Sequence, residues 1–284
     1  MAIRYSSLQR PQKLPITVII TTKNEEHNIA RCLKSLSDFE HIIVVDSNSD
    51  DQTQQIAHHH SATVIPFEWN GQYPKKRQYC LDHFAHHIHH DWVFFIDADE
   101  VMTPKLVSAL RTIGQSEQAT NIAGYFIRGQ YIWKNKPLNF GLKNNKIALF
   151  NRHEMAFPAV NDLPASAFMG EIEGHYQPVL KEPFTTRKIG KLRPPLWHYA
   201  CEDINKWRER HRRYAAWEDY MDKHQAWPQE DNRMRARLKN LFKSMPAPIK
   251  AITAFTHCYI LCLGFLDGIA GFQFAWLRGS YYWR

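Results

Sequence analysis

The sequence predicts an α/β fold, a mainly parallel sheet with flanking helices, followed by a helical, membrane-associating C-terminal extension. Three observations carry that expectation. Short apolar, β-branched runs alternate with stretches of helical periodicity, the pattern of parallel strands joined by helical crossovers. Three of those runs have acidic residues just past their C-terminal ends. Near residue 200 the alternation stops and helical patterns take over, which predicts an α/β unit over 1–200 and a helical extension over 201–284.

The first strand is expected over residues 15–22, Pro-Ile-Thr-Val-Ile-Ile-Thr-Thr, rich in the β-branched residues that suit a pleated surface. It runs into Lys23-Asn-Glu-Glu26, and Ile29, Cys32, Leu33 and Leu36 then recur at the spacing of one buried helix face. A second strand, residues 41–45, ends in Asp46, and a helix follows through Thr53 and Ile56. Residues 63–66 form a shorter third run. The fourth, Trp92-Val-Phe-Phe-Ile96, delivers Asp97-Ala-Asp99-Glu100. Ligands of such sheets bind outside the carboxyl ends of the strands, where Glu25, Asp46, Asp97 and Asp99 are expected to converge.

An extended backbone turns residues i and i+2 to the same side, so Asp97 and Asp99 can share one pocket. Two carboxylates that close repel unless a cation or a proton intervenes. A hard divalent ion, Mg²⁺ or Mn²⁺, suits them, and Mg²⁺ commonly shares its ligands with substrate phosphates. The plain alternative is a strand-end turn with solvated acids. Asp50 and Asp51 are read as caps of the helix that follows them.

Three stretches, Ile19-Ile-Thr-Thr-Lys-Asn-Glu-Glu26, Val44-Val-Asp-Ser-Asn-Ser-Asp-Asp-Gln-Thr53 and Phe95-Ile-Asp-Ala-Asp-Glu100, resemble the ordered signatures of family 2 glycosyltransferases with the GT-A fold. Within that family the chain is similar to the bacterial lipopolysaccharide-core β-1,4-glucosyltransferase group. The resemblance covers roughly the first 200 residues. It implies a nucleoside-diphosphate-sugar donor, with UDP the expected carrier, and a sugar moved with inversion to a glycan or glycolipid acceptor. It further implies that Thr21 and Glu25 line the nucleotide pocket, that Asp46 meets the base, and that Asp97 meets the ribose or the metal. Asp99 would hold the metal, with His198 in Leu-Trp-His-Tyr199 meeting metal or diphosphate. Lys75 and Lys76 would stand near the donor, with Arg77 the weakest of the three cations.

Inversion needs a base for the acceptor proton. The segment Lys146-Ile-Ala-Leu-Phe-Asn-Arg152 resembles a basic strand of the family, and Val160-Asn-Asp162 falls where relatives carry Val-His-Glu. The resemblance makes Asp162 the candidate base, with Glu171 and Glu173 in reserve, although Asn161 replaces the His and Asp is shorter than Glu. The tracts His58-His-His60 and His86-His-Ile-His-His90 are read as surface features near helix ends rather than a second metal site.

The five cysteines are scattered, without a C-x-x-C pair, which suits a reducing compartment. With no apolar leader over residues 1–13, a cytoplasmic protein is expected, peripheral on the inner face of a bacterial membrane. The net charge of +8 allows phosphorylated substrates or an anionic membrane, and no nucleic-acid module is present. Residues 203–220 interleave Lys206, Arg208, Arg210, Arg212 and Arg213 with Trp207, Tyr214 and Trp217. They form either one amphipathic helix packed by its aromatics or a basic surface at a membrane. A second basic cluster, Arg233 to Lys243, precedes an apolar run over 251–266 that Asp267 interrupts. That run is shorter than the roughly 20 residues of a span. It is expected to lie on an anionic leaflet, or else to be buried as a hairpin or in an oligomer interface. Two rival functions are a nucleotidyltransferase, which would show a Gly-rich phosphate loop after the first strand, and an inactive scaffold of the same fold.

Overall fold

The computed structural model describes residues 12–114, 121–173, 176–200, 203–227 and 233–283. Cys201 and the side chains of Lys206, Arg233 and Arg235 lie outside the described residues. The first half alternates as expected: β1 (Leu14–Thr22), α1 (Ile29–Lys34), β2 (Phe39–Asp46), α2 (Thr53–His59), β3 (Thr63–Pro66), α3 (Lys76–His83) and β4 (Trp92–Asp97). Next come β5 (Glu100–Met102), α4 (Pro104–Gly114), β6 (Ile122–Trp133), β7 (Lys136–Pro137), β8 (Asn144–Asn151), β9 (Met155–Ala156), α5 (Ser166–Met169), β10 (Val179–Leu180) and β11 (Lys188–His198).

One sheet carries the site, in the order β3-β2-β1-β4-β8-β6-β11-β5, with β7 on β6. β1 pairs parallel with both β2 and β4, and its register sets Thr22 beside Asp46 and Thr21 beside Asp97. β8 enters antiparallel to β4 and β6, so β6 and β11 again run with β1. The parallel block is buried on both faces, which explains its continuous apolar runs. Val18, Ile20, Val44, Phe94 and Ile96 pack toward α1 and α4 in one core, while Ile19, Val45 and Phe95 pack toward α3 in another.

The connection between β4 and β5 forces the sheet to curl. Three strands separate them in sheet order, about 19 Å if the sheet were flat at ~4.8 Å per strand. Asp97 and Glu100 are only three residue steps apart, at most about 11 Å. The curl closes this gap and brings the end of β4 to the end of β11, where β5 pairs antiparallel with His198 opposite Glu100.

The C-terminal part is helical: α6 (Ile204–Lys223), α7 (Arg233–Ser244), α8 (Ala247–Thr256), a π turn (His257–Leu261) and α9 (Gly268–Ser280). On α6, Trp207, Trp217 and Met221 are buried while Arg208, Arg212 and Arg213 are exposed. The amphipathic reading of this helix therefore holds, with its tryptophans facing protein. α8 and α9 form a hairpin bent by 72°. Asp267, which interrupts the apolar run, caps the 139–140 backbone: its carboxylate accepts the N–H groups of Asn139 and Phe140 at 3.1 and 2.9 Å.

Candidate active site

Asp99 lies in the two-residue turn after β4, and His198 is the last residue of β11. The backbone N–H of Tyr199 donates to the Asp99 carbonyl at 2.8 Å, which ties the two ends together. His198 Nε2 then stands 3.5 Å from Asp99 Oδ1, and Arg210 of α6 reaches Oδ2 at 3.6 Å. Burial opposes the charge on both partners. Each overcomes it through the other, so Asp99 is held below the usual carboxylate range and His198 above the usual imidazole value, with Arg210 adding to the effect on Asp99. Tyr131 stacks on the imidazole with centroids 5.2 Å apart, and Asn144 Nδ2 lies 3.4 Å from Nδ1.

Asp97 faces a different set of partners. Its Oδ1 accepts from Arg77 at 2.9 Å and its Oδ2 from Lys146 at 2.8 Å. Lys146 also donates to Glu100 Oε2 at 2.6 Å, and Glu100 takes the Asp97 N–H at 2.9 Å. Burial would raise the Asp97 pKa, yet Lys146 and Arg77 outweigh it and hold the carboxyl well below its ordinary range. Glu100 is pushed up by its complete burial. The expected set of Asp97, Asp99 and His198 is therefore divided: Asp97 is neutralised by two cations, and among the described residues no three His, Cys, Asp or Glu side chains converge on one point.

The ends of β1 and β2 form the third part. Asp46 is fully buried and accepts from Thr22 Oγ1 (2.7 Å), Ser49 N (2.8 Å), Ser49 Oγ (2.6 Å) and Gln54 Nε2 (2.7 Å). Burial works against its ionisation, and those hydrogen bonds overcome it, so its pKa falls. Here it shapes the loop after β2 rather than opening to a ligand. Thr21 is half-buried beside it. Glu25 is raised mainly by burial, against a hydrogen bond from Asn28 at 2.9 Å. Asp51 accepts from Thr53 N at 2.9 Å, at the start of α2 as expected.

Lys75 and Lys76 depart from expectation. Both are buried. Lys76 Nζ donates to the Thr22 carbonyl at 2.8 Å, to Ser47 Oγ, and to Glu171 Oε1 at 3.3 Å, and burial lowers its pKa. Glu171 also accepts from the Ser47 hydroxyl. Lys75 Nζ pairs with Asp162 Oδ2 at 2.9 Å, both side chains wholly inaccessible to solvent. Tyr73 donates to Asp162 Oδ1, and Trp217 Nε1 to Oδ2 at 3.0 Å. The expectation of an open base at Asp162 is corrected on this geometry: both oxygens are engaged by internal donors. Glu173 differs. Its Oε1 accepts the N–H groups of Arg77 and Gln78 at the start of α3 (2.7 and 3.1 Å), its Oε2 meets no donor, and burial raises its pKa. It borders a cavity of about 260 Å³ with Tyr73, Lys75, Phe157 and Pro158.

A divalent ion would therefore draw on two protein ligands. Asp99 and His198 would hold such an ion only once the imidazole gives up its proton and Arg210 turns to the diphosphate, with phosphate oxygens and water completing the shell. Sequence reasoning gave little weight to Arg77 and no site role to Lys146, Glu100 or Arg210. The stretch Lys146 to Arg152 carried a signal for one of them, but the reach of Arg210 depends on the tertiary seat of α6.

The family model described as glycosyl transferase family 2 matches residues 17–173. Over 148 residues the chain is 33% identical to an uncharacterized glycosyltransferase of Rickettsia felis, a match spanning 50% of each protein. Over 106 residues it is 32% identical to the lipopolysaccharide core biosynthesis glycosyltransferase LpsC of Rhizobium meliloti, 36% of each. The chain thus spans half or less of the length of these curated relatives. Among solved structures it is similar to glucosyl-3-phosphoglycerate synthase from Mycobacterium tuberculosis in complex with Mn²⁺, UDP and glucosyl-3-phosphoglycerate. That likeness has 24% identity and a TM-score of 0.32, over 43% of this chain and 44% of that one. The family match covers more than half of the chain and contains all three strand-end acidic stretches, so this protein belongs to glycosyl transferase family 2.

Proposed function

We propose that the protein moves a sugar from a nucleoside diphosphate, UDP by preference, to a hydroxyl of a glycan acceptor, with inversion at the anomeric carbon. The observation that carries this reading is the Asp99–His198 pair at the carboxyl ends of two co-directional strands, with Arg210 over it. Asp99 and His198 would hold Mn²⁺ or Mg²⁺, which when bound neutralises charge developing on the leaving diphosphate. Arg210 adds a positive charge at the same edge. Arg77 and Lys146 fix Asp97 for the ribose side, and Thr21, Glu25 and the loop held by Asp46 border the nucleotide. Glu173 takes the acceptor proton: it is buried too, but its Oε2 meets no internal donor and its pKa is raised, whereas both oxygens of Asp162 are engaged. Asp46, Asp97 and Asp99 are each tied by hydrogen bonds or ion pairs, which leaves none of them poised as a covalent nucleophile and favours single displacement. The relationship to LpsC supports an acceptor of the lipopolysaccharide-core class or a glycan on a lipid carrier.

Calorimetric titration with UDP, GDP, dTDP and CMP, each with Mn²⁺ and with EDTA, tests this. Tight binding of one diphosphate in Mn²⁺ that EDTA abolishes is the expected result. Binding of none would overturn the donor assignment and leave a non-catalytic scaffold.

A further inference from the structure

Helix α9 is apolar on both sides, but only one side is covered. Phe274, Ala275 and Leu277 pack on Trp133, Trp207 and Leu138 in a C-terminal core. Ile269, Phe272 and Trp276, at i, i+3 and i+7, share the opposite face. Ile269 and Trp276 are 79% and 65% exposed. The bare surface continues across the bend, where Leu261 is 71% exposed and Leu263 and Leu266 are also exposed, and onto Ile252 of α8. Between this hairpin and α7 runs an apolar groove of about 630 Å³ bordered by Leu238, Leu241 and Phe242. A helix that is hydrophobic all round is ordinarily buried, and an apolar patch of this kind marks an interaction surface.

The charge around the patch indicates what covers it. Residues 233–284 hold eight Lys and Arg against one acid, Asp267, a balance of 8 − 1 = +7 out of +8 for the whole chain. Asp267 itself is spent on the Asn139 and Phe140 N–H groups. Two copies meeting through this face would bring two such charges together, whereas an anionic surface would attract them. Among the described residues no single helix is long and apolar enough to cross a membrane. The hairpin is also locked in its bend: Gly271 packs so closely on Gly264 that a Cβ there would lie 1.9 Å from the Gly264 carbonyl oxygen. Gly141 N donates to the Cys262 carbonyl at 2.8 Å, fastening the bend to the loop before β8.

We propose that the α8–α9 hairpin is a monotopic anchor that sinks the Leu261–Leu266 bend and the Ile269–Trp276 face into a bilayer whose surface carries anionic lipid, with Arg237 and Lys239 of α7 at the headgroups. This inference is independent of the catalytic reading. The test is co-sedimentation of the full chain with vesicles of phosphatidylcholine alone and of equal parts phosphatidylcholine and phosphatidylglycerol. Binding to the anionic vesicles is expected to be about tenfold or more the stronger, and to weaken with salt. The double variant Leu261→Glu/Ile269→Glu places its charges in solvent, so it should keep its circular dichroism and nucleotide affinity while losing about tenfold or more of vesicle binding. Arg237→Glu/Lys239→Glu, which takes the segment from +7 to 6 − 3 = +3, should weaken the preference for anionic lipid. Wild-type protein left in the supernatant with both vesicles would overturn the proposal, as would a Leu261→Glu/Ile269→Glu variant that binds like wild type. A dimer that this variant dissociates, without vesicle binding, would assign the face to a second copy instead.

Discussion

Lys75 and Lys76 are neighbours in sequence, yet they tie together different parts of the molecule. Lys75 turns to Asp162 and Lys76 to the ends of β1 and β2. Removing one partner of a buried ion pair strands the other charge without solvent. Asp162→Asn should therefore cost about 3 kcal/mol of stability in urea unfolding, and Asp162→Leu with Lys75→Met should recover only part of it, because Tyr73 and Trp217 lose their acceptor. Glu173→Gln should instead leave stability and donor affinity near wild type while turnover falls about a hundredfold or more. Equal turnover would remove Glu173 from the base role. The cationic character of residues 75–77 was legible in the sequence. Their partners were not, because Asp162 and Glu171 lie 87 and 95 residues away. Arg77, weighted least of the three, is the one that reaches Asp97.

The histidine tracts illustrate the same limit. His41 of β2 stacks on His89 with centroids 3.8 Å apart, and burial first, then His89, His90 and His87, push its pKa down to about 4 against a weaker opposite pull from Glu40. A histidine with a lowered folded pKa stabilises fully above its unfolded value of 6.5 and loses that contribution as pH falls toward 4. Unfolding free energy should decline over that window, and His41→Gln should flatten the decline. An unchanged slope would contradict the assignment.

Among the elements, apolar β-branched runs with acids just past their ends specified β1, β2 and β4, whose central residues are buried in the parallel block. The second half was less legible. β8 and β11 pair at ranges that no local pattern announces, and the curl that joins Asp99 to His198 follows from the short β4–β5 link only once β5 is known to pair with β11. In the C-terminal hairpin the structure uses Gly264 and Gly271 for close approach. Gly271→Ala should therefore lower stability by about 1–3 kcal/mol, the usual range for overpacking, seen as a lower thermal midpoint. A wild-type midpoint would show that the bend adapts.

At the scale of the whole molecule, α6 connects the two halves. Its Arg210 stands at Asp99 and its Trp217 donates to Asp162, while Glu218 accepts from Tyr281 at 2.7 Å beyond the end of α9. α6 thus touches both the strand-end acids and the end of the apolar hairpin. In the proposed reaction Asp99 and His198 hold the divalent ion against the donor diphosphate. The most direct measurement is the UDP dissociation constant of wild type and Asp99→Ala, each with Mn²⁺ and with EDTA. The expected result is that Mn²⁺ tightens binding by about tenfold or more in wild type, roughly 1.4 kcal/mol per decade, and that the variant binds equally weakly in both conditions. A Mn²⁺ enhancement that survives in Asp99→Ala would contradict the assignment and place the ion elsewhere.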